Sequence, residues 1–255
     1  MRLWRVSWLT LKPSSFAGAV AMKRTSTQHD LMVRVLEAAG GQAIETLVPT
    51  GYMGSIADIL FAEDDVIVEV KSLTTDRTKD EGAITEVKAM LAEHRHLGAP
   101  DPETTVSFGL HDIPQVIAEK VLRIVGRRVQ NEIKSANKQI KATKGVLGRP
   151  EALGVLAIIT QPFGLDRLSV IWLTGDRFRT GGYRSVNVVF LVETPLQSPA
   201  QTGLFRNSFL SAHSRDGREL PQPVLEAIFK AWGEVTGQEG RDADSDDFPK
   251  FRATS

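Results

Sequence analysis

The stretch from Ser55 to Leu73, SIADILFAEDDVIVEVKSL, decides how the fold is read. It holds two apolar, β-branched runs, 56–61 and 66–72, joined through Ala62-Glu63-Asp64-Asp65. Two such runs flanking a short polar linker read as a β-hairpin. Asp58, Glu69 and Lys71 sit inside them, although uncompensated charge in a buried strand is costly. Side chains alternate along a strand, so Ile67, Glu69 and Lys71 share one face and Val66, Val68 and Val70 the other. A turn centred on Glu63-Asp64 sets opposite one another those residues whose numbers sum to 127. Asp58 then faces Glu69, with Cβ atoms about 4.5–5.5 Å apart, and Ile56 faces Lys71. A turn one residue longer or shorter sends the two acids to opposite faces.

Opposed carboxylates repel, and in an apolar setting one tends to take up a proton. A divalent cation removes both difficulties by supplying charge and accepting oxygen ligands. Hard oxygen donors without sulfur or imidazole favour Mg²⁺ or Mn²⁺. Lys71 adds a compact ammonium that orients a water, stabilises charge developing on phosphorus, or simply neutralises the acids. Metal and lysine beside an anionic ester form a hydrolytic arrangement.

Working outward, Ser26 or Thr27 caps a helix to about Ala39, with Leu31, Met32, Val35, Leu36 and Ala39 at helical spacing. Gly40-Gly41 ends it, Ala43–Val48 reads as a strand, and Pro49-Thr50-Gly51 as a turn. Beyond the hairpin come a polar loop at 74–80, a helix over 82–97, and a long helical pattern from Ile113 to Lys144 weakened at Gly126. The runs GVLAIIT (154–160), LSVIWL (168–173) and VNVVFLV (186–192) read as buried strands, and 221–235 as a closing helix. The order describes an α/β fold: a mixed central sheet flanked by helices.

Asp58, a ten-residue gap, and Glu69-Val70-Lys71 on a hydrophobic strand resemble the signature of the PD-(D/E)xK nuclease superfamily. The order of helix, three-strand meander, helix and strand is similar to its restriction-endonuclease-like core, over roughly residues 30–160. Ala57 stands where that family often has proline. The resemblance implies a Mg²⁺- or Mn²⁺-dependent endonuclease that hydrolyses phosphodiester bonds, most readily in DNA. It makes Asp58, Glu69 and the Val70 carbonyl metal ligands and Lys71 the catalytic lysine. Glu37 is the candidate for an added acid from the first helix. Two further Glu-x-Lys triplets, Glu86-Val87-Lys88 and Glu132-Ile133-Lys134, fall in helical segments and read as surface pairs.

Lys plus Arg balance Asp plus Glu at 31 each, so total charge names no partner, but its distribution does. Between Ile113 and Arg149 nine cations meet only two acids, Glu119 and Glu132. Lys120, Arg123, Arg127, Lys134, Lys138 and Lys141 recur on one helix face, and a helix that leaves its cations without acids suits a polyanion. Nucleic-acid phosphate is the simplest such partner, and the acidic tail another. Members of the superfamily often contribute a polar residue from this region, which makes Gln139 a candidate for contact with substrate or water. Arg177, Arg179 and Arg184 in GDRFRTGGYR suggest a second basic cluster on a Gly-rich loop.

There is no cysteine, which excludes disulfides and thiol catalysis and fits a reducing, cytoplasmic setting. No apolar run approaches membrane-span length. No G-x-S-x-G, Walker loop or dinucleotide fingerprint is present, and His94-x-His96 lacks a third ligand and reads as an exposed helix end. Residues 1–21 carry Arg2, Arg5 and Lys12 and no acid. Ala19-Val20-Ala21 resembles a signal-peptidase site, but Lys12-Pro13 interrupts the apolar stretch, so a true start at Met22 is the expectation. The organisation read from sequence is an extension (1–21), one nuclease-like α/β domain (22–236) and an acidic disordered tail (237–255). A homodimer is compatible, since many nucleases dimerise to cut both strands. Two alternatives stand beside the nuclease: a catalytically inactive nucleic-acid-binding module on the same fold, and a structural or partner-binding protein with a salt-bridged hairpin.

Overall fold

The computed structural model describes residues 7–13, 28–73, 80–99, 113–160, 167–193 and 209–242. The hairpin consists of β3 (Ile59–Phe61) and β4 (Val66–Leu73). It pairs Ile59 with Val68, Leu60 with Ile67 and Phe61 with Val66, the register of an even turn. Asp65 adopts φ 53°, a left-handed conformation that Asp tolerates better than most residues. Arg149 holds that turn, donating to the Asp65 carboxylate at 2.8 Å and to the Ala62 carbonyl at 3.1 Å.

Parallel strands β4, β5 (Leu153–Thr160) and β6 (Val188–Glu193) form the centre of the sheet. Every residue of β5 is buried, as expected of a parallel strand covered on both faces. Antiparallel β3 and β2 (Gln42–Ala43) complete one side. On the other side β7 (Phe209–Ser214) pairs antiparallel with β6, followed by β1 (Ser7–Pro13) and β8 (Gln238–Asp242), giving the order β2-β3-β4-β5-β6-β7-β1-β8. Helices α1 (Gln28–Ala38) and α6 (Gln222–Thr236) cover one face. There Met32, Leu36, Ile228 and Trp232 pack with Val66, Val68 and Val70. The opposite face carries Ile67, Glu69 and Lys71 and meets α4 (Arg127–Val146) from Lys134 onward. Gly154 permits that approach: a Cβ there would collide with the Ser185 carbonyl and press on Ile140 of α4.

The chain forms two compact units. One comprises 1–73, 134–161 and 182–255 and contains the sheet. The other comprises 74–133 and 162–181. It holds α2 (Glu81–Glu93), α3 (Gln115–Val125), the start of α4, and α5 (Arg167–Thr180). Its core gathers Leu91, Ile113, Ile117 and Val121.

Several expectations are corrected. The run 168–173 is not a strand but part of α5, with Val170, Leu173, Thr174 and Phe178 buried at helical spacing. Leu173 lies against Gly126, where a Cβ would strike its methyl groups, so the glycine that separates α3 from α4 also makes room for α5. Arg177 and Arg179 accordingly occupy the last turn of a helix instead of a Gly-rich loop. The segment 43–48 yields only β2, followed by a 3₁₀ turn at Ile44–Thr46. Within 237–255, Gln238–Asp242 pairs with β1 as β8, and the remaining acidic residues lie outside the described residues, as do Ser26, Thr27 and 74–79. No described helix is long and apolar enough to cross a membrane.

Candidate active site

β3 stops one residue short of Asp58, whose side chain then takes over the pairing. Asp58 N–H donates to the Val68 carbonyl at 3.1 Å, and the Asp58 carbonyl accepts from Ile44 at 2.8 Å. Val70, beyond the last β3 pair, donates its N–H to Asp58 Oδ2 at 2.7 Å. Within a strand the N–H and C=O of one residue leave on the same side, so the Val70 carbonyl is directed to the edge that Asp58 occupies. Asp58 Oδ1 lies 3.4 Å from His29 Nε2, at the start of α1. Asp58 keeps about a quarter of its side chain exposed.

Glu69 is buried, its side chain 2% exposed. Glu69 Oε1 accepts an ion pair from Lys71 Nζ at 2.5 Å, and Lys71 is itself only 17% exposed. Lys71 Nζ donates a second bond to Gln139 Oε1 at 2.8 Å. Gln139 Nε2 in turn donates to the Ile56 carbonyl at 3.1 Å, so Lys71 and Ile56 are linked through the α4 amide. Ser135 and Thr143 lie one turn to either side of Gln139 on the same helix face. Ser135 Oγ donates to Gln139 Oε1 at 3.0 Å, and Thr143 Oγ1 accepts from Ala57 N–H at 2.8 Å. Gln139 and Thr143 thus fasten the segment preceding Asp58, and Ser135, one turn earlier, braces Gln139.

Of the residues expected from sequence, Asp58 bonds the Val70 N–H, while Glu69, Lys71 and Gln139 form a separate chain of polar contacts. His29 joins the first group, Ser135 the second, and Thr143 holds Ala57. The spacing of Ser135, Gln139 and Thr143 on an otherwise basic helix was a readable sign of a polar face turned inward. His29 offered none. Glu37 is exposed, eight residues or about 12 Å of helix beyond His29, and stands apart from the group.

An ionised carboxylate has about four lone-pair positions. On Asp58, Val70 N–H occupies one position on Oδ2 and His29 lies against Oδ1, which leaves further positions on the carboxylate. Two carboxylates and a main-chain carbonyl suit Mg²⁺ or Mn²⁺, which keep several waters and rarely take an all-protein cage. Among the described residues no three His, Asp or Glu side chains converge as a ready cluster, so such an ion would rely on the carbonyl and water.

The basic stripe divides. In the helical unit Arg123 donates to Asp176 through Nε and Nη2 at 3.1 and 3.0 Å. It also stacks over Trp172. Its guanidinium bonds hold the Asp176 carboxyl below the ordinary range, outweighing burial, which acts in the opposite sense. Arg127 pairs with Glu86 at 2.6 Å, Arg128 with Glu132 at 3.7 Å, and Lys120 with His94 Nε2. His94 is buried and gives its other nitrogen to the Met90 carbonyl, correcting the exposed helix end. The expectation of cations without acidic partners therefore fails for Arg123, Arg127 and Arg128. It holds for Lys134, Lys138 and Lys141, which are exposed with no acid within ion-pair distance among the described residues. These three flank the face that carries Ser135, Gln139 and Thr143.

No family model, curated protein or solved structure matches this chain.

Proposed function

We propose that the chain is a metal-dependent nuclease hydrolysing phosphodiester bonds, DNA foremost, on a restriction-endonuclease-like core. One observation carries the reading: a buried carboxylate, Glu69, is paired with a half-buried ammonium, Lys71, on a central strand whose intervening N–H, that of Val70, is held by Asp58. Burying such a pair costs several kcal/mol in desolvation, and apolar residues would often serve stability as well or better. Charges kept there against that cost are explained by chemistry.

Asp58, Glu69 and the Val70 carbonyl would hold Mg²⁺ or Mn²⁺, which polarises phosphate and lowers the pKa of bound water. Lys71 supplies a positive charge for the phosphate oxygens as they gain negative charge. Gln139 fixes the ammonium by accepting one N–H, and Glu69 accepts another, leaving a third free for water or substrate. Lys134, Lys138 and Lys141 offer phosphate contacts beside this point.

The inactive binding module retains one supporting observation. Asp58 Oδ2 replaces a strand carbonyl as the acceptor for Val70 N–H, a structural service that requires no ion. Incubating labelled DNA and RNA with the full chain in Mg²⁺ or Mn²⁺, beside Lys71→Ala and Asp58→Ala, separates the readings. Cleavage reduced at least a hundredfold by both substitutions supports the enzyme. Salt-sensitive binding without cleavage supports the module.

A further inference from the structure

The loop leading into the site presents apolar groups to solvent. Residues 49–55 are all exposed; Met53 is 96% exposed, with Leu47 and Tyr52 at 40% and 38%. Single exposed apolar side chains are ordinary, but these three fall within one short loop. The loop is shaped: Tyr52 N–H donates to the Pro49 carbonyl at 3.1 Å, and Gly51 takes φ 86°. The Tyr52 phenol lies over Gly54 so closely that a Cβ there would collide with it. Its downstream root, Ile56-Ala57, is bonded to Gln139 and Thr143 of α4. The same turns of α4 carry Lys134, Lys138 and Lys141, which have no acidic partner among the described residues.

An apolar, aromatic-bearing loop is thus rooted on the same turns of α4 as a cation row without acidic partners among the described residues. A ligand that answers both must alternate negative charge with flat apolar surface. A nucleic-acid strand with exposed bases does so: phosphates track a basic groove while bases stack on side chains, largely regardless of sequence. The lysine row spans seven residues, about 10.5 Å of helix, or roughly three nucleotide steps of a stacked strand. A fully paired duplex hides its base faces and leaves the loop without a partner.

Resting on the nuclease reading, we propose that Tyr52 and Met53 form a stacking platform and that the substrate is single-stranded nucleic acid. Lys134, Lys138 and Lys141 hold its phosphates while the loop holds its bases beside Asp58 and Lys71.

The test is fluorescence anisotropy of the full chain in chelator, so that nothing is cut, with a labelled oligothymidine and a labelled duplex hairpin. The substitution Tyr52→Ser with Met53→Ser, and Met53→Ser alone should folding suffer, weakens oligothymidine binding about tenfold. It leaves the salt slope and duplex binding unchanged. Replacing Lys134, Lys138 and Lys141 by Gln flattens the slope of log K against log salt by about 2. Equal losses on both nucleic acids, or no loss on oligothymidine, overturn the platform while leaving the nuclease reading intact. Binding of neither nucleic acid overturns both. A dimer in solution that Met53→Ser dissociates also overturns the platform, by showing that a second copy covers the loop.

Discussion

Removing the Lys71 ammonium takes from the buried Glu69 carboxylate the cation that lies 2.5 Å away. The Glu69 side chain is 2% exposed, and water reaches it poorly. Breaking one partner of a buried pair costs about 3–5 kcal/mol. Lys71 retains some solvent contact, so Lys71→Ala should fall near the lower end, about 3 kcal/mol. Against a total stability of about 5–15 kcal/mol this is a large fraction. With a urea slope of about 3 kcal/mol/M, the midpoint drops by about 1 M. The double substitution Glu69→Leu with Lys71→Met should behave in the opposite way. It removes both charges, retains volume, and leaves Gln139 Oε1 its bond from Ser135. Such replacements are commonly neutral or stabilising by about 1–4 kcal/mol, so the midpoint stays level or rises while cleavage disappears. Urea unfolding followed by far-UV circular dichroism reads both variants. A double variant as unstable as Lys71→Ala refutes the reasoning, because the pair would then hold the fold together and need no catalytic explanation.

Gln139→Leu removes the acceptor for Lys71 and the donor for the Ile56 carbonyl; it should lower kcat at least tenfold with little change in KM. Gln139→Glu, which keeps the acceptor, should recover part of that loss in the cleavage assay. Gly126→Ala drives a methyl into Leu173 and should cost about 1–3 kcal/mol of overpacking; adding Leu173→Ala should return part of it in thermal melts. The Asp176 carboxyl, depressed by Arg123, contributes stability that is fully present above its unfolded value of about 3.9. Between that value and its lower folded value the unfolded chain binds more protons, so stability falls as pH falls. Asp176→Asn should remove this part of the acid limb when urea midpoints are compared below pH 4.

The hairpin was legible because an even polar turn and alternating apolar residues leave one register that keeps both valine and isoleucine faces buried. Asp65, a residue that accepts a positive φ, closes that turn. The run 168–173 misled because six apolar residues have no period of their own. Its helical character comes from Thr174, Asp176 and Phe178 further on and from its seat against Gly126. The basic stripe was legible as composition but not as energetics. Asp176, 53 residues from Arg123, and Glu86, 41 from Arg127, neutralise it through contacts that no local spacing announces. Within the site, Asp58, Glu69 and Lys71 could be read from strand alternation and hairpin register, and Gln139 only through the resemblance to the nuclease superfamily. His29 could not, because only the folding of α1 against the sheet brings it to Asp58.

Manganese titration of the full chain, followed by electron paramagnetic resonance, tests the central claim most directly. The account predicts saturable binding that Asp58→Ala and Glu69→Gln each abolish and that Glu37→Gln leaves unchanged. Binding that survives both of the first two substitutions, or no binding by the unsubstituted chain, contradicts it.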